Sequence, residues 1–330
     1  RTDPIGPIFS MPAQLYETTG NAVPSNATVG TFRTRDGKML RYARFAAQGR
    51  PLRGTVVLLP GRNESIEKYF ETISDLSKRG FGTATFDLRG QGGSDRLVRN
   101  PRRGFVTDFQ DYVDDIEPFF QDVVLPDCRG PYFVVGHSTG ALVALLAAPQ
   151  LTNRVQRMML LSPLLGLSPT SLSMNNTRRL CSILHAAGLG QVTLGRQRLS
   201  TFDDNPLTSD RERYARNRAI YEAHPELEIG GATATWVRSI FRALEQTQSP
   251  HFKARVTIPI LVVAASADRV VDTRATERYV AGLRTASLLT IQGAQHELLH
   301  ERDIFREQVL AAFDAFIPGS APDPFSLATM

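Results

Sequence analysis

Residues 132–148 read YFVVGHSTGALVALLAA, and the predicted fold depends on this stretch. The apolar run at 132–135 is typical of a short buried strand, and the apolar run from Ser138 to Ala148 is typical of a buried helix. The pentapeptide Gly-x-Ser-x-Gly at 136–140 joins them. Its two glycines permit a sharp turn that lifts the serine hydroxyl out of the sheet. The stretch therefore predicts a nucleophilic serine at a strand-to-helix turn.

The segments on both sides continue an alternation of strands and helices. Predicted strands occupy residues 31–34, 38–45, 55–59, 81–86, 132–135, 155–161, 258–263 and 287–291. Helical spacing of apolar residues predicts helices at 66–76, 109–123, 138–148, 273–283 and 301–316. Asp36-Gly37 marks a tight hairpin between the first two strands. The remaining order predicts an α/β fold, with a mostly parallel central sheet flanked by helices.

The alternation stops over about 80 residues, where only helical or irregular patterns occur. We therefore predict four regions. They are an extended, proline-punctuated N-terminal arm (1–27), an α/β core (28–167 and 251–317), a helical cap insertion (168–250) and a C-terminal tail (318–330).

Composition excludes several classes of protein. The 330 residues include 38 Lys and Arg against 33 Asp and Glu, and this net charge of +5 is too mild to indicate nucleic-acid binding. The longest apolar run, Ala141–Ala148, is far shorter than the ~20 residues of a membrane span. The first 30 residues lack a signal-peptide pattern, and whether a leader precedes Arg1 stays open. We predict a cytoplasmic protein and leave peripheral membrane contact and oligomeric state open.

Neither a metal nor a cofactor is predicted. No Cys, His, Asp and Glu cluster has the spacing of a metal site. The glycine-rich turn at 87–94 lacks both G-x-G-x-x-G and the P-loop lysine, and so it is predicted to be structural.

A nucleophilic serine needs a histidine base and an acid that orients it. In folds with this turn the chain order is serine, acid, histidine. His296 follows the last predicted strand through a short loop, whereas His300 falls at the start of the last helix. Asp268 follows the preceding strand, whereas Asp272 is placed to cap the next helix. We therefore predict a catalytic triad of Ser138, Asp268 and His296.

An oxyanion hole requires two positioned N–H donors. The N–H of Thr139, at the start of the helix, is one candidate. The second is the N–H of Arg62, in the loop PGRN at 60–63 after the third strand. The same loop is also compatible with an ordinary turn in which Asn63 or Ser65 caps a helix.

Two further groups of residues are candidates for substrate contact. Four arginines crowd one loop at the site edge of the sheet, where they either attract anionic head groups or form a solvated surface: Arg96, Arg99, Arg102 and Arg103. Apolar insertion residues are expected to line an acyl pocket, and some of them to form the core of the cap instead: Leu180, Ile183, Leu184, Leu189, Ile240, Phe241 and Leu244. Trp236, the only Trp, is either core or pocket wall.

Together these motifs resemble the α/β-hydrolase superfamily of serine hydrolases, and more narrowly the lysophospholipase L2 and monoacylglycerol lipase group. The matching segments are FDLRGQGGSD (86–95), GHSTG (136–140), ADRVV (267–271) and HELL (296–299). Residues 64–69, 103–115 and 229–236 are similar to the lysophospholipase branch. Pro60 and Gln91 depart from the pattern, since many relatives have His at both places.

The resemblance implies a serine carboxylic-ester hydrolase that cleaves lipid-like esters, a lysophospholipid or a monoacylglycerol, through an acyl-enzyme. It implies the same triad and oxyanion donors, and a helical cap over the site. The alternative on the same scaffold is a serine aminopeptidase or a small-ester esterase. An aminopeptidase would need a cap carboxylate facing the serine, for which Glu222, Glu226 and Glu228 are candidates. A catalytically silent binding protein is a further alternative, which an intact triad disfavours.

Overall fold

The computed structural model describes residues 13–168, 174–194 and 201–318, and its centre is one eight-stranded sheet. The strands are β1 (Ala27–Arg33), β2 (Met39–Phe45), β3 (Gly54–Leu59), β4 (Phe81–Phe86), β5 (Tyr132–His137), β6 (Val155–Leu161), β7 (Ile260–Ala265) and β8 (Ala286–Ile291). Their order across the sheet is β1-β2-β4-β3-β5-β6-β7-β8. Only the β1–β2 and β2–β4 pairs are antiparallel. The predicted hairpin and mostly parallel sheet are confirmed.

Helices cover both faces of the sheet. The α-helices of the described residues, on the sheet and in the segment 168–250, are α1 (Phe70–Lys78), α2 (Gln110–Asp114), α3 (Ile116–Phe119), α4 (Leu125–Asp127), α5 (Thr139–Leu151), α6 (Met174–Ala186), α7 (Arg211–Ala223), α8 (Ala234–Gln248), α9 (Pro250–Arg255), α10 (Thr273–Ala281) and α11 (Asp303–Phe316). A 3₁₀ turn at Ile66–Tyr69 precedes α1, and a π-helical turn at Phe120–Val124 joins α3 to α4. The helices predicted from apolar spacing lie where that spacing places them, but two of them are not continuous α-helices. The helix predicted at 109–123 is divided into α2, α3 and the π-helical turn, and the one predicted at 66–76 starts with the 3₁₀ turn.

The central strands are apolar without interruption because both of their faces are covered. Every residue of β3 is buried. Alternate residues of β3 and β5 point to opposite sides: Val57 and Val134 join one apolar cluster, and Val56 and Phe133 join the other. This two-sided burial is typical of parallel sheets and leaves their carboxyl edge as the place for a site.

The segment 168–250, called the insertion below, contains α6, α7 and α8, and none of its described residues forms a β-strand. Side-chain caps start two of its helices: Asp210 accepts the N–H of Arg213 at 2.8 Å, and Thr233 accepts the N–H of Trp236 at 3.3 Å. These bonds satisfy N–H groups that a helix leaves without partners.

Part of the predicted N-terminal arm is anchored to the core. The carbonyl of Gln14 accepts a hydrogen bond from Arg41 at 2.7 Å, and Asn21 donates to the carbonyl of Glu67 at 2.9 Å. Residues 1–12 of the arm and 319–330 of the tail lie outside the described residues. In the part of the chain that is described, no helix combines the length and apolar character of a membrane span.

The last helix begins two residues later than predicted. Glu301 and Arg302 have extended ψ angles of 168° and 148°, and α11 starts at Asp303. The Glu301 carboxylate holds the chain in this shape because it accepts the N–H groups of Gln295 and Ser209 at 2.7 and 3.1 Å. His300 therefore ends a separate 3₁₀ turn, so the expectation that it opens the last helix is wrong.

An ion cluster joins the insertion to the core. Arg213 and Arg216, both on α7, lie 2.7 and 2.6 Å from the carboxylate of Glu71 on α1. Partial burial alone would raise the pKa of Glu71, but the hydrogen bond from Arg213, the charge of Arg306 and the bond from Arg216 lower it to about 2. Glu71 is therefore ionised in the folded state at any pH above this value.

We expect Glu71→Gln to lower the free energy of unfolding by about 1 kcal/mol at neutral pH, since it removes the charge that two arginines share. The folded-state pKa lies below the ordinary 4.5, so this stabilisation is present above about pH 4.5 and disappears as the pH falls toward 2. Chemical denaturation of both proteins between pH 7 and pH 3 measures the difference. Asp314→Asn, which breaks an exposed pair with Arg79, should change little. A deficit that stays constant down to pH 3 would show that charge is not its cause.

Candidate active site

Ser138 occupies a strained turn between β5 and α5. Its φ is +51° and its ψ −110°, a conformation that costs free energy for a residue with a side chain. A Cβ atom at Gly140 would lie 2.3 Å from the carbonyl oxygen of Leu59, and one at Gly136 would lie 2.8 Å from the Cα of Ala141. Both glycines of the pentapeptide are therefore required by close backbone contacts.

The structure brings the three predicted triad residues into one hydrogen-bonded chain. His296 Nε2 lies 3.0 Å from Ser138 Oγ, and His296 Nδ1 lies 2.7 Å from Asp268 Oδ2. Asp268 follows β7 and His296 follows β8, so the carboxyl edge of the sheet supplies all three groups. This is the arrangement of a serine, its base and an orienting acid.

Asp268 is held as a carboxylate. Its Oδ1 accepts the N–H groups of Val270 and Val271 at 2.7 and 3.0 Å, while Oδ2 faces His296. Burial alone would raise the pKa of Asp268, but the bond and charge of His296 and the two backbone bonds lower it. Both carboxylate oxygens are thus engaged, and the ring of His296 is oriented.

The competing candidates lie elsewhere. His300 Nε2 lies 2.9 Å from the carbonyl oxygen of Lys68. Asp272 occupies the N-cap position of α10 as predicted, but its side chain makes no capping hydrogen bond and lies 3.6 Å from Arg278. Within the described residues, no hydrogen bond joins either His300 or Asp272 to Ser138.

The predicted oxyanion donors flank Ser138. Thr139 is the first residue of α5, so its N–H has no partner within the helix. Arg62 lies in the turn after β3, and its N–H bonds to no backbone or side-chain acceptor in the described ranges. Both residues line the cavity that contains Ser138.

A buried carboxylate holds the Arg62 turn in place. Glu64 accepts hydrogen bonds from the N–H of Gly61, from the hydroxyl of Tyr69 and from Lys68 Nζ, the last at 2.7 Å. It also lies 3.1 Å from His137 Nδ1. Burial alone would raise the pKa of Glu64, but the charges of Lys68 and His137 and their hydrogen bonds lower it well below its usual range.

The same network reaches the loop that carries the base. Lys68 Nζ donates to Glu297 at 2.6 Å, and His137 Nε2 lies 3.3 Å from the carbonyl oxygen of His296. From the other side, Gln91 Nε2 donates to the carbonyl of Gly61 at 2.7 Å. None of these supporting side chains is predicted from the sequence to have a role in the site. The signals available were the lysophospholipase-like stretch 64–69 and the unusual Gln91.

The site opens into a cavity of about 390 Å³. Its apolar wall consists of Leu164, Leu167, Leu207, Ala232, Trp236 and Val270. A second cavity, of about 340 Å³, lies at the amino end of β3 and β4 beside Gly54 and Gly82, on the opposite edge of the sheet. Among the described residues, no group of three or more His, Cys, Asp or Glu side chains could hold a metal ion.

Of the two alternatives for the seven apolar insertion residues, pocket lining is wrong, because none of them lines this cavity. Leu180 and Ile183 of α6 are exposed, whereas Ile240 of α8 is buried in the core. Trp236 does line the cavity; it is 5% exposed, and its Nε1 donates to the hydroxyl of Tyr112 at 3.1 Å. Helical periodicity shows that one face is buried and does not show what covers it.

The expectation of four arginines on one surface loop is wrong for Arg96. This side chain is only 2% exposed and donates to the carbonyl oxygens of Glu226 and Ser94 at 2.6 and 3.2 Å. Its partners are backbone groups, which leave no trace in the sequence. Arg99 and Arg102 are exposed.

Comparison with known proteins gives a consistent result. The model of the family described as serine aminopeptidase, S33, matches residues 50–303. Lysophospholipase L2 of Escherichia coli strain K12 is 34% identical over 292 residues, which are 84% of this chain and 83% of that protein. Monoglyceride lipase of Mus musculus is 26% identical over 86% of this chain and 88% of its own.

A solved structure also has this fold. It is a soluble variant of monoglyceride lipase from Saccharomyces cerevisiae with a substrate analogue, which superimposes with a TM-score of 0.70 at 21% identity. The alignment covers 88% of this chain and 95% of that one. With the sheet order described above, this likeness confirms the predicted α/β-hydrolase fold.

We expect Glu64→Gln to slow the covalent labelling of Ser138 by a fluorophosphonate at least tenfold, because the turn that carries Arg62 loses its buried anchor. The variant should also be less stable, since His137 loses its carboxylate partner and Lys68 keeps only Glu297. Labelling rates below the melting temperature test this expectation.

Asp115→Asn provides the matched control. Asp115 is equally buried and accepts from Arg89 at 2.7 Å, but neither residue lines the Ser138 cavity. Asp115→Asn should lower the free energy of unfolding and leave the rate of Ser138 labelling unchanged. Equal slowing in both variants would mean that Glu64 acts only through overall stability.

Proposed function

The chain belongs to the serine aminopeptidase S33 family of α/β-hydrolases, and from this membership we propose that it hydrolyses the carboxylic ester of a single-chain lipid, a lysophospholipid or a monoacylglycerol. The observation that carries this proposal is the hydrogen-bonded chain of Ser138, His296 and Asp268 beside a cavity with a large apolar wall. The names of the relatives, lysophospholipase L2 and monoglyceride lipase, support a lipid ester as substrate.

In the proposed mechanism Ser138 Oγ attacks the ester carbonyl while His296 Nε2 accepts its proton. Asp268 keeps the other ring nitrogen protonated and stabilises the imidazolium. The N–H groups of Arg62 and Thr139 bind the oxyanion of the tetrahedral intermediate. His296 then protonates the leaving alcohol, and water hydrolyses the acyl-enzyme with His296 again as base.

We propose that the insertion forms a cap over the acyl chain. The cavity wall combines Leu207 and Trp236 of the insertion with Leu164 and Val270 of the core. Apolar side chains from both parts therefore face the space next to Ser138. Such a wall both binds an acyl chain and excludes water from the acyl-enzyme.

An aminopeptidase is less well supported. Of the three carboxylates considered for it, only Glu228 lines the cavity, whereas Glu222 and Glu226 do not. Glu228 lies 3.5 Å from Arg218, so its charge already faces a cation. A substrate ammonium group would have to compete with this arginine.

For location and partners, we propose a cytoplasmic enzyme that meets its substrate at a lipid surface by peripheral contact. The contact residues would be the exposed Arg99 and Arg102 and the exposed Leu180 and Ile183. Basic and apolar side chains on one protein are typical of such contacts.

We expect Ser138→Ala, His296→Ala and Asp268→Asn each to reduce kcat strongly, the first by at least ~10⁴-fold. Since the three groups act as one unit, combining the substitutions should add little further loss. Steady-state hydrolysis of an aryl ester measures both effects. Asp272→Asn and His300→Gln serve as controls and should keep substantial activity. If Asp272→Asn abolished activity while Asp268→Asn retained it, the acid of the triad would be reassigned. The same holds for His300→Gln against His296→Ala and the base.

We expect ester hydrolysis to increase with acyl chain length until the apolar wall is filled, and aminoacyl naphthylamides to be poor substrates. A chain-length series of aryl esters, set beside lysophospholipids, monoacylglycerols and aminoacyl naphthylamides, gives the relative kcat/KM values. Preference for acetyl esters would favour a small-ester esterase, and preference for naphthylamides would favour an aminopeptidase.

A further inference from the structure

Arg62 lines the Ser138 cavity, and its side chain has no anionic partner among the described residues. Its Nη2 donates to the carbonyl oxygen of Gly230, and its Cζ lies 5.2 Å from the ring centre of Trp236. Its Nε is buried and has no hydrogen-bond partner. No carboxylate of the described residues lies within 4 Å of its guanidinium.

The other cations of the cavity wall are paired. Lys68 lies between Glu64 and Glu297, and Arg218 lies 3.5 Å from both Glu222 and Glu228. In the described part of the wall, Arg62 is therefore the arginine or lysine whose charge no carboxylate balances. Burial without such a partner lowers the pKa of Arg62 to about 10, so the group is still protonated at neutral pH.

The distance between the Arg62 guanidinium and the reacting ester carbonyl limits which substrates can contact both. The backbone N–H of Arg62 is the proposed oxyanion donor, so its side chain starts at the reacting carbonyl. In a lysophospholipid, the chain from the ester carbonyl carbon to the phosphorus has as many bonds as the chain from the Arg62 nitrogen to its Cζ. A guanidinium presents several N–H groups in a planar fork that matches phosphate oxygens.

We propose that the guanidinium of Arg62 binds the phosphodiester of a lysophospholipid head group, and thereby makes a phosphate-bearing single-chain lipid the preferred substrate over a neutral monoacylglycerol. The proposal rests on the ester hydrolase function proposed above. Asn217 supports a polar end of the cavity, because both atoms of its amide are buried without a hydrogen-bond partner and it lines the same wall.

The test compares two substrates with the same acyl chain, a lysophosphatidylglycerol and the corresponding 1-monoacylglycerol. The readout is the ratio of their kcat/KM values. In Arg62→Gln this ratio should fall about tenfold or more, because a charge-assisted hydrogen bond is lost with one substrate only. Arg62→Lys keeps the charge but not the fork, and its ratio should lie between those of the wild type and Arg62→Gln. Both variants retain the backbone N–H.

Two further arginines provide controls for the position of the charge. Arg284→Gln, at an exposed position outside the cavity wall, should leave the ratio unchanged. An unchanged ratio in Arg62→Gln, or a shift in Arg218→Gln instead, would overturn the proposal. Inhibition of monoacylglycerol hydrolysis by millimolar inorganic phosphate that is lost in Arg62→Gln, with no change in the ratio of the two substrates, would overturn the head-group assignment in favour of free phosphate. If the wild-type protein hydrolyses neither lipid, the proposed function itself fails.

Discussion

The site depends on one buried carboxylate, that of Glu64. An ionised group in the protein interior is costly unless donors surround it. Here the donors come from three places in the chain: the N–H of Gly61, the Lys68 ammonium and Tyr69 hydroxyl of one 3₁₀ turn, and the ring of His137. The requirement to satisfy one charge therefore fixes the oxyanion turn next to the serine turn, and Lys68 extends the same constraint to Glu297 beside the base.

Close contacts around the serine turn also hold Ser138 in its strained backbone conformation. A serine at positive φ is unfavourable, and it persists only where the surrounding structure leaves no relaxed alternative. The carbonyl of Leu59 approaches Gly140 so closely that the helix cannot shift toward the sheet, and the N–H of Ser138 bonds to the carbonyl of Leu161 at 2.9 Å. The hydroxyl is thus presented to His296 before any substrate binds, which is the preorganisation that nucleophilic catalysis needs.

Much of this arrangement is predictable from the sequence, because the signals for it lie within short segments of the chain. Buried parallel strands are continuous apolar runs, and the turn at Ser138 has its own glycine signature, so the sheet and the serine follow from short windows. Chain order then points to Asp268 and His296. Local patterns do not show which residues a given side chain contacts in the folded protein. The sequence places Arg96 in a charged loop, yet its side chain is buried and donates to the carbonyl oxygens of the nearby Ser94 and the distant Glu226. For the same reason, no local pattern shows which donors surround Glu64.

Arg62 combines two roles that usually belong to different residues. Its main chain supplies the proposed oxyanion donor, and its side chain supplies the unbalanced charge of the cavity wall. A change at its side chain therefore acts on recognition while the backbone donor remains, provided that the turn keeps its shape. The Glu64 carboxylate and Gln91 hold that shape through Gly61, the residue before it, and not through the Arg62 side chain. Because the turn is anchored independently, we expect the proposed selectivity for the head group to change without loss of the proposed oxyanion donor.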